Sequence, residues 1–131
     1  MNLEEVLGRF SVELGVKLPG PATQLNSSLP KVLADFYSVV DGLKLPFLEI
    51  YPAKRVSPLQ RPADQPPAWV EFGADGYFTW YLCALDSAVV PPVAAWDHET
   101  RVPIEATYVS VAALIAEEYE RVASDDAWRA H

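Results

Sequence analysis

The sequence predicts an α+β domain: an antiparallel sheet, mixed at most, of about four to six strands, with N-terminal helices and a C-terminal helix packed mainly on one face. Three observations predict it. Helical spacing of apolar residues is confined to the two ends of the chain. A tight-turn sequence, Gly73-Ala74-Asp75-Gly76, sits mid-chain between two strand-like runs. Helices and strands are thus segregated along the chain, which is the mark of α+β rather than α/β architecture.

The first helix is read over residues 2–15. Asn2 suits the N-cap, and Glu4 and Glu5 suit the positive end of the helix dipole. Leu3, Val6, Leu7, Phe10 and Leu14 form one apolar face, and Gly15 with Pro19-Gly20-Pro21 ends it. A second helix is predicted to open at Ser27-Ser28-Leu29-Pro30, with Pro30 in the first turn, and to close at Asp41-Gly42. Val32, Leu33, Phe36, Tyr37 and Val40 make its buried stripe. Phe47–Tyr51 and Arg55–Leu59 are short strand candidates. Residues 58–68 hold four prolines, and proline removes ladder donors, so this segment is read as a surface loop. The hairpin of residues 69–85 follows, then strands at Val93–Trp96 and Arg101–Tyr108, joined by Asp97-His98-Glu99-Thr100. Ser110 caps a last helix whose apolar face is Val111, Leu114, Ile115, Tyr119 and Val122, and residues 124–131 read as a tail that either frays or docks back through Trp128. No internal repeat or second domain is evident, so residues 1–131 are read as one domain.

Totals narrow the function classes. The chain has 131 residues, half of them hydrophobic, and a formal charge of −8. Binding to nucleic acid or anionic lipid needs a basic patch, so neither is expected; a basic protein partner is permitted. The single cysteine, Cys83, excludes an internal disulfide. The opening residues lack a basic start and an apolar signal core, and no apolar run spans a bilayer, which predicts a cytoplasmic protein.

Side chains alternate along a strand. Phe78, Trp80, Leu82 and Ala84 share one face and are assigned to the helix-covered core, together with Val70 and Phe72 of the facing strand. Tyr77, Thr79, Tyr81, Cys83 and Leu85 share the other face. Trp69, Glu71, Asp75, Tyr77, Thr79 and Tyr81 then form an aromatic, mildly acidic patch, the candidate partner surface. The plainer reading is that loops cover this face as a second core.

No catalytic set emerges. Cys83 sits mid-strand with no helix N-terminus beside it, and such a cysteine behaves as a small apolar residue. Asp97, His98 and Glu99 are consecutive on a turn and lack the spaced ligands of a zinc site. Asp75, Asp86 and Asp97 recur at intervals of eleven residues and could gather at one sheet end; aspartate is equally a turn residue. No phosphate loop, dinucleotide fingerprint or nucleophile elbow is present, and no cofactor or metal is expected.

From about Leu29 to Val122 the pattern resembles the SUKH superfamily. The residues that carry the resemblance are Leu29-Pro30 opening a helix, Phe36-Tyr37 at its middle and Asp41-Gly42 at its end. Phe72-Gly73 then leads to Asp75-Gly76, a strand runs from Trp80 to Asp86, Pro92-Val93 begins the next, and Ser110 opens the last helix. Val111 follows where the family often has phenylalanine. The resemblance implies a non-enzymatic binding domain. Many bacterial members are immunity proteins that neutralise polymorphic toxins by direct contact; other relatives are regulatory scaffolds. The motif residues are structural, and no catalytic residue carries over. The leading expectation is therefore an immunity protein, monomeric or weakly dimeric, that binds a protein such as a basic toxin domain. The alternatives are a regulatory interaction scaffold and an enzyme or small-molecule binder using His98 and the aspartates.

Overall fold

Among the described residues, six strands follow one another as neighbours, each antiparallel to the last, in the order β1 to β6: Leu43–Leu45, Leu48–Ile50, Trp69–Ala74, Thr79–Ala84, Val93–Asp97 and Val102–Tyr108. Helices α1 (Leu3–Leu14) and α2 (Lys31–Tyr37) precede the sheet and α3 (Val111–Ala123) follows it. The molecule is thus the predicted α+β domain. The computed structural model describes residues 2–25, 28–56, 69–76, 78–97, 99 and 102–124, except the side chains of 102–105. The proline-rich segment 58–68, Tyr77, His98 and the tail from 125 lie outside the described residues.

Local chemistry sets the helix starts. The Asn2 side chain accepts from the Glu5 amide at 2.8 Å, and Gly15 closes α1 in the left-handed conformation at φ 66°. Ser110 Oγ accepts from the Ala113 amide at 3.1 Å and begins α3. The second helix departs from expectation at both ends. Pro30 is its N-cap rather than a first-turn residue. Beyond Tyr37 the chain tightens, with Val39 and Val40 amides both bonding the Phe36 carbonyl and Ser38 Oγ donating to the Asp35 carbonyl. The helix therefore stops well short of Asp41-Gly42. Gly42, at φ 92°, serves another purpose. A Cβ there would lie 2.9 Å from the Ile50 carbonyl oxygen, so its glycine lets the chain pass close to β2 on its way into β1.

The first two strands form a hairpin, Leu43–Leu45 with Leu48–Ile50, where a single strand over Phe47–Tyr51 was expected. Ala53–Arg55 is one 3-10 turn, so the strand expected over Arg55–Leu59 does not begin at Arg55; its residues 57–59 lie outside the described residues. Gly73, expected in the hairpin turn, lies within β3. A Cβ on it would meet the Glu49 carbonyl oxygen at 2.5 Å, and pairing of β2 with β3 requires that approach. The turn itself falls one step later. Gly76 takes φ 84°, and the Asp75 carboxylate accepts from the Thr79 amide at 3.1 Å.

One core lies between the helices and one sheet face. Val6, Leu7 and Phe10 of α1, Leu33, Phe36 and Tyr37 of α2, and Leu114, Ile115 and Val122 of α3 meet Val70, Phe72, Tyr81, Cys83, Val93 and Ala95 there. α1 and α3 are joined by an edge-to-face contact of Phe10 with Tyr119, centroids 5.5 Å apart, and Tyr119 donates its hydroxyl to Glu13. Tyr37 donates to the Tyr51 carbonyl at 2.6 Å, and Asp41 accepts from the Ala53 amide at 2.8 Å, tying α2 and its exit to the sheet edge.

Candidate functional site

The sheet has a second face, turned away from the described helices, and tryptophan dominates it. Trp80 pairs with Trp96 across β4 and β5, and Trp69 stands opposite Ala84. Trp69 and Trp96 begin on strands either side of β4 and on rungs either side of Leu82. Their rings nevertheless approach to 6.2 Å, so the two indoles reach across β4 above Leu82. That accounts for a leucine with no accessible surface on a face no described helix touches. Ala84 and Ala94 are buried beside it, while all three tryptophans stay half-buried.

A polar edge adjoins the indoles. Tyr51 donates to the Glu71 carboxylate at 2.5 Å, and the Arg55 guanidinium lies over the Tyr51 ring at 4.3 Å from its centroid. Burial, and then the bond and charge of Glu71, push the Tyr51 phenol well above its ordinary value, so it stays a donor at any physiological pH. The Trp96 Nε1 is buried and meets no acceptor among the described residues.

The expected partner patch is divided between the two faces. Trp69 and Glu71 lie on the tryptophan face as foreseen. Tyr81 is on the opposite face, 6% exposed in the helix-covered core, and Thr79 shares its strand parity. Asp75 is at the β3–β4 turn, bonding Thr79, and Tyr77 lies outside the described residues. Of the expected core set, Val70 and Phe72 do face the helices, but the residues from the second strand run do not. Trp80, Leu82 and Ala84 belong to the tryptophan face, and Phe78 is 55% exposed beside the turn. Cys83, placed with the patch by parity, is fully buried under the helices. Tyrosine explains the reversal. Its ring packs with the core while its hydroxyl reaches a polar rim near Asp75, Glu117, Glu118 and Arg121. Burial first, and then the neighbouring Asp75, push that phenol up to about 12.

The candidate chemical groups do not converge. Asp75 and Asp97 lie at one end of the sheet, flanking Thr79, whereas Asp86 follows β4 at the other end. Asp86 and Asp97 each accept from an amide two residues on, Ala88 at 2.8 Å and Glu99 at 2.9 Å, the geometry of turn residues. Burial raises the Cys83 thiol to about 12, which leaves it protonated at neutral pH. Among the described residues, no group of three or more histidines, cysteines or acids is placed to hold a metal ion.

Glu118 went unforeseen. Only 4% exposed, it accepts from the Phe47 amide at 3.1 Å and has the Arg121 guanidinium at 3.6 Å. Burial raises its carboxyl above the usual range; Arg121 and the Phe47 amide oppose that. The signal was present, since position 118 falls four residues from both Leu114 and Val122 on the apolar stripe.

Comparison with protein-family models, curated proteins and solved structures gives no match. Among the described residues, no helix is long and apolar enough to cross a membrane.

Proposed function

We propose that this chain is a non-enzymatic protein-binding domain, an immunity protein that neutralises a cognate toxin by covering it. The observation that carries the reading is the tryptophan-lined sheet face. Trp69, Trp80 and Trp96 stand half-buried on one surface, rimmed by Tyr51, Glu71 and Arg55. Tryptophan, tyrosine and arginine are the residues that most often anchor protein interfaces, because each joins a large apolar area to a polar tip. The charge of −8 favours fast encounter with a basic partner and opposes phosphate or anionic lipid. The SUKH resemblance supports the same activity, and the α+β element order agrees with the class it implies.

The test is direct. The purified protein is mixed with the toxin encoded beside its gene, and binding and protection are measured. Stoichiometric binding that relieves toxicity, and weakens on Trp69→Ala, is the expected result. Failure to bind or protect against any neighbouring toxin, with recovery of a housekeeping complex instead, would replace the immunity reading with that of a regulatory scaffold.

A further inference from the structure

A second surface differs in chemistry from the tryptophan face. Two adjoining hollows, of about 510 and 530 Å³, run along the outer side of α2 and meet at Val32, Asp35 and Val109. One is bounded by the β4–β5 turn, Leu85 to Pro92; the other by the starts of α1 and α3, at Leu3, Glu4 and Val111. Together they form one groove. Val90 is 79% exposed and Val109 70%, and Val89 stands beside them. Aliphatic side chains this bare, grouped along a groove, indicate a contact surface rather than scattered surface residues.

Charge narrows the occupant. Glu4, Asp35 and Asp86 line the groove against a single base, Lys31, which is held by Asp35 at 2.8 Å. The walls are therefore net acidic on a chain that is itself net acidic. A second copy would bring acid against acid, and a phosphate-bearing ligand would meet the same repulsion. A small molecule would remain open to solvent, because the valines are not enclosed; small-ligand sites bury most of their ligand. What fits is an elongated segment alternating aliphatic side chains with lysine or arginine.

We propose that the groove along α2 docks a basic, aliphatic peptide segment of a partner protein, seated on Val32, Val90 and Val109 with its cations facing Glu4 and Asp86. This deepens the protein-binding reading and rests on it. The groove opens at the sheet end where Ala84 pairs with Trp69, so one partner reaches both surfaces.

The test uses a phage-displayed random dodecapeptide library selected on the intact protein, with the enriched peptide then synthesised. The expected consensus is aliphatic with interspersed lysine or arginine. Amide shifts should move at residues 30–39, 84–92 and 109–112, and affinity should fall roughly tenfold or more on Val90→Lys or Val109→Lys. Both valines are exposed, and circular dichroism checks each variant's fold, so loss of one variant leaves the other as the test. Affinity should also drop as salt rises. An acidic consensus overturns the proposal. So do peptides that bind only the tryptophan face or are indifferent to both Val90→Lys and Val109→Lys; these leave the protein-binding reading standing. No enrichment at all overturns the groove as a peptide site, while toxin binding still decides the broader function.

Discussion

Alternate residues of β4 live in two different environments. Tyr81 and Cys83 face three helices and join a core filled from above. Trp80, Leu82 and Ala84 face away from those helices, and Leu82 is sealed by neighbouring indoles of the sheet itself. Both faces bury apolar surface, but only one does so with tryptophans that stay half-buried. Helix-covered packing fixes the fold. The tryptophan face instead keeps large aromatic groups half-buried, with Trp69 and Trp96 in contact.

Truncation separates the two. Phe72→Ala, on the helix-covered face with no accessible surface, should destabilise the domain by about 3–5 kcal/mol, read by urea denaturation. Leu82→Ala, equally inaccessible, should cost only about 2 kcal/mol, because half-buried indoles can settle into the space while a core pinned by three helices cannot. Equal losses at the two positions would erase the distinction between the faces.

How far the sequence disclosed this arrangement follows from the same physics. Helix starts were readable because Asn2 and Ser110 act through local hydrogen bonds. The end of α2 was not, because it depends on a turn stabilised beyond Tyr37, while Gly42 answers a contact with β2 that is remote in sequence. Strand order was partly legible from turn spacing. The facing of β4 was not, because both alternating sets are apolar or aromatic, so period alone cannot choose between them. A register irregularity between Glu71 and Gly73 adds to the ambiguity, since Phe72 falls between the pairs Glu71–Leu82 and Gly73–Tyr81 and simple alternation cannot be carried across it. Of the expected patch, Trp69 and Glu71 reach the face that carries the functional proposal; Trp80 and Trp96 join it through cross-strand pairing.

Glu118 gives the helix-covered side a pH signature. Its carboxyl titrates higher folded than unfolded, because burial disfavours the charge. The native state therefore binds more protons across the interval between the two values. This contribution to stability is most favourable below the ordinary glutamate value and declines as pH rises through the raised one. Glu118→Gln retains an acceptor for the Phe47 amide and removes the buried charge. It should flatten this part of the stability–pH curve and stabilise the domain at pH 8 by a fraction of the Leu82→Ala effect, with little difference near pH 4. Denaturation at several pH values checks this. A steeper curve in the variant would mean that Arg121, not burial, dominates the site.

The smallest effect is expected on the tryptophan face. Trp96 combines a large packing area with a buried Nε1–H that has no acceptor among the described residues. A donor buried without a partner loses its hydration, typically about 1–3 kcal/mol. Trp96→Phe removes that donor but also surrenders part of the ring contact with Trp69. The two changes oppose each other, so the net shift should lie within about 1 kcal/mol of zero. Thermal unfolding of Trp96→Phe measures the balance. A loss well above that range would show that the indole nitrogen is bonded in solution or that its ring carries more packing energy than the sheet geometry implies. A near-zero shift would make this variant a clean probe of partner binding, since any fall in affinity could then be assigned to the aromatic surface rather than to a weakened fold.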